Sequence, residues 1–342
     1  MKRVMECVPN FSEGRDRDVI DKIADAIASA DEVKILNIDP GEAANRTVIT
    51  FIGSPEAVCE AAFRGVKEAA RLIDMRRHHG THPRLGATDV LPLVPVSGIT
   101  LEECAVMARE LASRIFRELG IASYCYEAAA YRPERRNLAV CRSGQYEALP
   151  QKMSDPEKRP DFGPETYDEV TAKAGAINIG ARNYLIAVNF NLDSKSAGLA
   201  DEIACDVREK GRKVGIGADG KTLWKRGPLK GCKSIGWYIE EYGVAQVSMN
   251  ITDIDATPLH TAYEEVCRAA QARGCRVTGT EIIGLVPKRV LVEAGRHFLG
   301  KDKVTEDTDE DILIGAAVRF MGLDDLCPFD PKSRIIEFLA DF

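Results

Sequence analysis

The feature that most constrains the fold is one order of strands and helices that occurs twice along the chain. In the first half, hydrophobic periods of two and of 3.6 residues alternate in the order βαββαβ, and the same order follows in the second half. The first strand of each half carries the dipeptide Asn-Phe, at Asn10-Phe11 and again at Asn189-Phe190. This duplication predicts two copies of one βαββαβ unit.

The segments of the two copies correspond one to one. Helix patterns place aliphatic residues three or four positions apart, and strand patterns are rich in β-branched residues. The first-half segments are RVMECVPN, RDRDVIDKIADAIASA, VKILNID, NRTVITFIG, the helix that begins at Ser54-Pro55, and DVLPLVPV. Their second-half counterparts are LIAVNFNL, AGLADEIACDVREKG, SIGWYIEE, GVAQVSMNIT, ATPLHTAYEEVCRAAQARG and TEIIGLVP.

We therefore predict an α+β protein of two ferredoxin-like βαββαβ subdomains. The predicted boundaries are 1–179 for the first and 180–327 for the second, and 328–342 is predicted to be a C-terminal helix. The helices of such a unit leave one face of its sheet uncovered, and that face must be buried by the other copy or by a partner subunit. A cleft between the two copies is the natural place for a ligand.

Composition argues against several classes of function. The chain has 342 residues and a formal net charge of −7, whereas a nucleic-acid-binding protein shows a basic face. No apolar run approaches the ~18 residues of a membrane span, and the N-terminus lacks the apolar core of a signal peptide. The ten cysteines are scattered, mostly in apolar segments. We expect reduced, buried thiols in a cytoplasmic protein that binds neither nucleic acid nor membrane.

Three of the five histidines lie within five residues, in the segment MRRHHGTHPRLGATDV. The second copy joins the corresponding helix and strand with only CRVTG. The histidine segment is therefore an addition to a fold that closes without it, and added loops are more often functional than structural. Three interpretations are open at this point: a metal site, an acid–base site, and a solvated basic loop.

The metal interpretation, which includes a metal-dependent hydrolase, rests on His78, His79 and His82. His78 and His82 are four residues apart, a spacing that places two side chains on one face of a helix. Gly80 and Pro83 disfavour a helix here, and no glutamate accompanies the histidines as in His-Glu-x-x-His. We predict no metal, and we expect His78 and His79 to shape the loop or to contact solvent.

The acid–base interpretation gains support from the predicted strand hairpin NIDPGEAANR. Asp39 ends one strand and Arg46 begins the next, so both face the same turn. If a histidine of the loop joins them, the arginine can hold a carboxylate, the aspartate a cationic nitrogen and the imidazole a mobile proton. This combination indicates an anionic substrate with a basic nitrogen.

A glycine-rich segment in the second half gives no competing motif. GIGADG, from Gly215 to Gly220, matches Gly-x-Gly-x-x-Gly, but the following KTLWKRGPLKG is not a helix pattern, and the dinucleotide motif requires a helix there. We predict a loop instead. The basic residues that follow it are placed either to meet an anionic ligand tail or to face solvent.

With these residues identified, the sequence resembles the glutamate formiminotransferase family, which also forms the N-terminal part of bifunctional formiminotransferase–cyclodeaminases. The resemblance covers nearly the whole chain, and the cyclodeaminase part is absent, which implies a stand-alone transferase. The motifs that carry it are, in order, ECVPNFSEG, NRTVITF, LIDMRRHHGTHPRLGATDV, QYEALP, DFGP, GARNYLIAVNFNL, SIGWYIEE, AQVSMN, GLVP and LCPFDPKSRIIE.

The resemblance implies two subdomains with a folate-binding tunnel between them, and a homodimer formed through the N-terminal subdomain. It implies transfer of the formimino group from N-formimino-L-glutamate to N5 of tetrahydrofolate, the co-substrate, in one-carbon metabolism and histidine catabolism. Three alternatives share the scaffold: a glycine formiminotransferase, an enzyme that handles 5-formyltetrahydrofolate, and a folate-binding protein without turnover.

The resemblance also assigns roles to residues of this chain. The catalytic histidine of the family matches His82, and its aspartate and arginine match Asp39 and Arg46, the pair already singled out by position. Asn10, at the end of the first strand, is placed to hydrogen-bond the substrate. The complete set of predicted substrate-binding residues is Asn10, Gly163, Pro164, Gly175, Asp206, Val207 and Arg208.

Overall fold

The chain forms two compact α+β units, one up to Asn183 and the other from Tyr184 onward. A computed structural model describes residues 3–217, 220–300 and 304–339. The α+β class agrees with the sequence prediction. The two units divide after Asn183, whereas the predicted boundary after residue 179 falls inside a strand that is hydrogen-bonded within the first unit.

The described part of the first unit contains a seven-stranded sheet with helices packed against it. The predicted first strand is interrupted and forms two short strands. The elements of the repeated order are β1 (Val4–Cys7), β2 (Asn10–Phe11), α1 (Arg17–Ala28), β3 (Val33–Gly41), β4 (Arg46–Gly53), α2 (Pro55–Leu72) and β5 (Thr88–Ser97). The elements beyond it are α3 (Leu101–Leu119), β6 (Ala122–Glu127), α4 (Leu138–Cys141), α5 (Leu149–Ser154), α6 (Glu169–Ala174) and β7 (Ala176–Ala181), with 3₁₀ turns at Pro133–Arg136 and Tyr146–Ala148.

The strands of this sheet follow the order β3, β4, β1 with β2, β5, β7, β6. The first four positions are antiparallel, whereas β7 runs parallel to both β5 and β6. Helices α1, α2 and α3 cover one face, where their apolar residues pack against Phe11, Phe51 and Leu91. Because side chains alternate along a strand, neighbouring residues such as Asn10 and Val90 point to the opposite face.

Sequence reasoning missed the last part of this sheet. Helix α3 carries a clear start signal, since Thr100 and Glu103 form a capping box, and it ends at Gly120 in the left-handed conformation with φ 71°. The repeat concealed this signal, because the described part of the second unit has no counterpart of β6 and β7. The repeat therefore predicted the antiparallel half of the sheet and not its parallel extension.

In the second unit, a four-stranded antiparallel sheet has the order β11, β12, β8, β13. This is the order that β3, β4, β1 with β2, and β5 adopt in the first unit, so the predicted duplication holds for strand order. The elements are β8 (Ile186–Leu192), α7 (Ala197–Val207), β9 (Arg212–Ile216), β10 (Thr222–Lys225), β11 (Cys232–Ile239), β12 (Val244–Ile251), α8 (Leu259–Gln271), β13 (Val277–Ile283), α9 (Lys288–Leu299), α10 (Glu310–Met321), α11 (Pro331–Arg334) and α12 (Ile336–Leu339).

Two details of the second unit differ from the prediction. The predicted C-terminal helix over 328–342 is two short helices, α11 and α12, which pack within this unit, and residues 340–342 lie outside the described residues. The predicted loop at GIGADG is in part an antiparallel hairpin of β9 and β10, and its residues 218–219 also lie outside the described residues.

The cysteines are all free thiols, and six of the ten are buried: Cys7, Cys104, Cys125, Cys141, Cys232 and Cys275. Burial raises the pKa of several of them, that of Cys125 to about 12, so these thiols stay protonated and unreactive at neutral pH. No helix in the described ranges is both long enough and apolar enough to cross a membrane.

Candidate functional site

The histidine segment joins α2 to β5 and is fixed against the turn between β3 and β4. Asn45 in that turn has φ 48°, and its side-chain amide donates to the carbonyl of His79 at 2.9 Å. The Asn45 carbonyl lies 2.8 Å from Nε2 of His78, which must donate because a carbonyl only accepts. A Cβ at Gly80 would lie 2.2 Å from the Ala44 carbonyl oxygen, so only glycine permits this approach. These contacts set the position of His82.

The other two histidines of the segment have different environments. His78 is buried, and burial lowers its pKa, so the ring is neutral at physiological pH and serves to anchor the loop. The His79 side chain is exposed. In the described ranges, no group of three or more His, Cys, Asp and Glu side chains is arranged to hold a metal ion.

His82, Arg46 and Asn10 are brought together on the face of the first sheet opposite α1, α2 and α3. Nη1 of Arg46 lies 2.6 Å from Nδ1 of His82, and Nε of Arg46 donates to Oδ1 of Asn10 at 2.8 Å. The side chain of Arg46 is only 13% exposed. Three of the residues singled out from the sequence thus form one hydrogen-bonded group.

A buried carboxylate that the sequence analysis did not single out completes this group. Asp89 is fully buried, and its Oδ2 lies 3.0 Å from Nη1 of Arg46 and 2.7 Å from Nη2 of Arg142. Its Oδ1 accepts from the backbone N–H of Leu85 at 2.9 Å. Asp89 therefore joins two arginines and fixes the last part of the histidine segment through Leu85.

A strand irregularity places Asp89 on this face. Asn10 pairs with Val90 and Phe11 pairs with Thr88, so Asp89 is the extra residue between two pairs. Such a β-bulge bends the strand and redirects a side chain, and bulges are frequent beside active sites. With regular alternation, Asp89 would point to the helix-covered face together with Leu91, away from Arg46.

Asp39 lies on the neighbouring strand. It is paired with Val48 of β4, and Arg46 is two residues before Val48 on that strand. Residues directly opposite each other on antiparallel strands share a face, as do residues two apart along one strand. Asp39 and Arg46 therefore lie on one face, as the hairpin predicted, and the carboxylate of Asp89 is in direct contact with Arg46.

The surroundings determine the charge of the imidazole and of the guanidinium. Burial, together with the positive charges of Arg46 and Arg142, lowers the pKa of His82 to about 3. Burial lowers the pKa of Arg46 to about 10, and the charge of Asp89 opposes this effect. At neutral pH the site therefore contains a neutral imidazole beside two charged guanidinium groups and one carboxylate.

The neutral ring has two tautomers with different partners. Nδ1 of His82 lies between an obligatory donor, Nη1 of Arg46, and an obligatory acceptor, the carbonyl of Pro83 at 2.7 Å. With the proton on Nδ1, the ring donates to Pro83 and Nε2 carries the free lone pair. With the proton on Nε2, Nδ1 accepts from Arg46. The ring can thus present either a base or an acid at Nε2.

The depressed pKa leads to a prediction for the protein without substrate. We expect His82 to stay uncharged from about pH 5 to 8, whereas an unperturbed histidine titrates near ~6.5. Side-chain ¹⁵N NMR of the histidines measures this directly. Because the folded-state pKa is the lower one, the stability that His82 contributes is complete above about pH 6.5 and is lost as pH falls toward about 3. A His82 titration midpoint near 6.5 would contradict the half-buried, arginine-flanked geometry.

The predicted folate-binding glycines of the first unit flank the loop that precedes β7. Gly163 lies beside Ala122, where an added Cβ would approach the Ala122 Cβ to 3.2 Å, and Pro164 is half-buried. Gly175 has φ 69° and pairs with Gly86 at the end of the histidine segment. The structure thus places one end of this loop against the segment that carries His82.

Gly175 gives a stability prediction. A Cβ at Gly175 would lie 2.3 Å from the carbonyl oxygen of Leu85, and the positive φ adds backbone strain. We expect Gly175→Ala to lower the free energy of unfolding by roughly 2–4 kcal/mol, measured by urea denaturation. Gly243→Ala is the matched control, because Gly243 has φ 67° but no atom within 4 Å of the added Cβ. Equal losses in the free energy of unfolding for the two substitutions would show that the close approach to Leu85 contributes nothing to the effect of Gly175→Ala.

The remaining predicted residues, Asp206, Val207 and Arg208, lie in the second unit at the end of α7. Asp206 accepts from Arg212 and from Arg273 at 2.6 Å each, and Arg208 donates to backbone carbonyls. Val207 is buried. Asp206 and Val207 line a cavity of about 410 Å³, whose basic lining residues are Arg212, Lys225, Arg226 and Arg268. Their side chains are thus held by contacts within this unit.

Comparison with known proteins gives one consistent family. The family model "Formiminotransferase domain, N-terminal subdomain" matches residues 4–182, and "Formiminotransferase domain" matches residues 187–341. These ranges agree with the two units seen in the structure.

Similar proteins are of two kinds. The formimidoyltransferase-cyclodeaminase of Gallus gallus is 45% identical over 99% of this chain, which spans 60% of that protein's length. The glutamate formimidoyltransferases of Thermoplasma acidophilum and Streptococcus pyogenes are 42% and 39% identical over 86% and 87% of this chain, which covers 92% and 94% of their lengths. This chain is therefore similar both to part of longer bifunctional proteins and to nearly the whole of shorter ones.

Proposed function

The chain belongs to the formiminotransferase family, and on this premise we propose that it transfers the formimino group of N-formimino-L-glutamate to N5 of tetrahydrofolate. The products are 5-formiminotetrahydrofolate and L-glutamate. The observation that carries the proposal is the contact of 2.6 Å between Nδ1 of His82 and the guanidinium of Arg46 in a half-buried, polar site. This pair supplies a proton carrier beside an anion-binding group.

The reaction forms one bond and breaks one. N5 of tetrahydrofolate attacks the amidine carbon of the donor, and the new N5–C bond leaves N5 positively charged. Nε2 of His82 takes the proton from N5. When the bond from this carbon to the glutamate nitrogen breaks, that nitrogen receives the proton from His82 and L-glutamate leaves. One imidazole thus moves one proton between two amines and ends the cycle neutral.

The charged groups have complementary tasks. A protonated amidine is the better electrophile, and an ionised Asp39 on the same face as Arg46 would favour that cation. Arg46 would pair with a carboxylate of the donor through its fork of N–H groups. Asn10 is hydrogen-bonded to Arg46 and holds it in place. These roles are proposals supported by the shared face and the hydrogen bonds.

The low pKa of His82 fits a base that acts only when substrate is bound. The charges of Arg46 and Arg142 contribute to the depressed pKa of His82. A substrate carboxylate on these arginines would offset their charge and raise the pKa of the imidazole toward the range useful for proton transfer. In the free protein the ring stays neutral and ready to accept a proton.

We also propose the finer features of the fold. The strand order of each unit supports a ferredoxin-like subdomain, and a folate tunnel between the subdomains is what the family resemblance implies. On the helix-free face of the second sheet, Asn189 donates to Glu281 at 2.9 Å and Trp237 donates to Gln246 at 3.0 Å. Polar side chains on such a face support a ligand-binding surface. The folate roles of Gly163 to Gly175 and of Asp206 to Arg208 belong to this proposal.

The assembly and location of the protein are further parts of the proposal. We propose a cytoplasmic homodimer that forms through the first unit and works without a metal. The six buried thiols support a reducing compartment. Size-exclusion chromatography with light scattering measures the oligomeric state, and activity that survives exhaustive chelation would support metal-free chemistry.

A spectroscopic assay tests the function. The purified protein is mixed with tetrahydrofolate and either N-formimino-L-glutamate or N-formiminoglycine, and formation of 5-formiminotetrahydrofolate is followed by absorbance. We expect turnover with the glutamate donor. Folate binding without product from either donor would contradict the proposed reaction and leave a binding protein.

A further inference from the structure

We propose that Arg142 and Arg46 together form a two-guanidinium site for the two carboxylates of the donor, and that this pair selects N-formimino-L-glutamate over donors with one carboxylate. The inference rests on the proposed function and concerns the same site. Arg142 follows α4, far in sequence from the histidine segment, and its Nη2 contacts Asp89 in the site.

The spacing of the two arginines is set by one carboxylate oxygen. Nη1 of Arg46 lies 3.0 Å and Nη2 of Arg142 lies 2.7 Å from the same Oδ2 of Asp89. The two nitrogens can therefore be no further apart than the sum of these distances. The two carboxyl carbons of glutamate are separated by four C–C bonds, roughly 5 Å in an extended chain. The two guanidinium groups are thus close enough for one short dicarboxylate to reach both.

Both guanidinium groups retain N–H groups for a ligand. Arg46 uses Nε on Asn10 and Nη1 on Asp89 and His82, and no hydrogen bond from its Nη2 to a described residue is present. Arg142 uses Nη2 on Asp89, and its Nε is buried without a hydrogen-bond partner among the described residues. A buried donor without a partner is costly, and an incoming oxygen acceptor would satisfy it.

The charge balance also favours an anion. The Arg46 and Arg142 side chains are 13% and 16% exposed, so both positive charges are largely desolvated. One carboxylate, Asp89, contacts both of them, and His82 is neutral. Among the groups in direct contact, two positive charges against one negative charge leave one excess positive charge, which a bound anion would compensate. With its amidine protonated, N-formimino-L-glutamate carries one net negative charge and would compensate this excess, whereas N-formiminoglycine, with one carboxylate and one amidinium, carries none.

The test compares two donors in one variant. Arg142→Gln keeps a hydrogen-bond donor for Asp89 but removes the charge. We expect KM for N-formimino-L-glutamate to rise about 10- to 100-fold, as expected for loss of a charged hydrogen-bond partner. KM for tetrahydrofolate and KM for N-formiminoglycine should stay within about twofold, since the single carboxylate of glycine needs only Arg46. Arg136→Gln, at an exposed arginine of the same segment, is the matched control and should behave as the wild type.

The outcomes separate this inference from the proposed function. If Arg142 has only a structural role, the variant will raise KM for both donors equally or lower kcat alone, and either result would overturn the two-arginine site. Unchanged kinetics with both donors would overturn it as well. Absence of turnover by the wild type with either donor would instead refute the proposed function. Inhibition by free L-glutamate gives a second readout, since it should weaken in Arg142→Gln while inhibition by glycine does not change.

Discussion

Replacement of His82 by alanine is expected to lower kcat by about 10²- to 10⁴-fold, the usual contribution of a positioned acid–base group. This corresponds to about 3–5 kcal/mol of transition-state stabilisation. The expectation follows from the position of the ring, because its Nε2 is the group that would take the proton from N5 and return it to the leaving amine. Steady-state kinetics at saturating concentrations of both substrates measures the change.

Binding measurements make this prediction specific. The affinity for 5-formyltetrahydrofolate, a non-reacting probe of the folate site, should stay close to that of the wild type, because the imidazole acts on the proton and not on the folate ring. His79→Ala is the matched control, since His79 lies in the same segment with its side chain exposed. A His82→Ala protein with unchanged kcat would remove the imidazole from the mechanism.

Replacement of Asp89 by alanine is expected to give the largest loss of stability. The carboxylate is fully buried and contacts both Arg46 and Arg142, so its removal leaves two desolvated positive charges without their partner. Removal of one partner of a buried ion pair lowers the free energy of unfolding by about 3–5 kcal/mol. Chemical denaturation followed by circular dichroism should show a matching decrease in the free energy of unfolding.

Two further variants show whether charge or packing causes this loss. Asp89→Asn keeps the shape and can still accept from the N–H of Leu85, but its amide nitrogen then faces the two guanidinium groups, so it should be destabilised by the lost charge and the lost acceptor and not by lost packing. Asp31→Ala, at an exposed position, should change stability by less than about 0.5 kcal/mol. If Asp89→Ala is as stable as the wild type, the ion pairs of Asp89 do not hold the site together.

Much of the fold could be predicted from hydrophobic periodicity and from the repeat. The strands around Asn10 and Asn189, with the helices that follow them, lie where the pattern indicates, because one buried face imposes a regular period. The extension of the first sheet by α3, β6 and β7 was missed. The parallel pairing of β7 with β5 and β6 joins segments that are distant in sequence. The hydrophobic periodicity within one segment does not indicate which distant segment it pairs with.

The candidate site was predictable in part, for a related reason. Asp39 and Arg46 are close in sequence across one hairpin, so their shared face follows from strand alternation. The proximity of His82 to Arg46 depends on Asn45, which anchors the histidine segment to that hairpin through hydrogen bonds. Residues such as Asn45 with positive φ are hard to recognise from sequence alone.

The roles of Asp89 and Arg142 in the site could not be predicted from hydrophobic periodicity or from motifs. Regular alternation along β5 places Asp89 on the helix-covered side, and only the bulge redirects it toward Arg46. Arg142 follows a one-turn helix and carries no motif that would connect it with residues more than fifty positions earlier. Contacts made by a bulge or by an irregular segment follow from the tertiary structure.

The most direct test of the account is a single-turnover experiment on the chemical step. Excess protein, preloaded with tetrahydrofolate, is mixed rapidly with N-formimino-L-glutamate, and 5-formiminotetrahydrofolate is followed by absorbance in the wild type and in His82→Ala. The account predicts rapid product formation by the wild type and formation slower by at least about two orders of magnitude in the variant. Equal rates in the two proteins, or no product from the wild type, would contradict it.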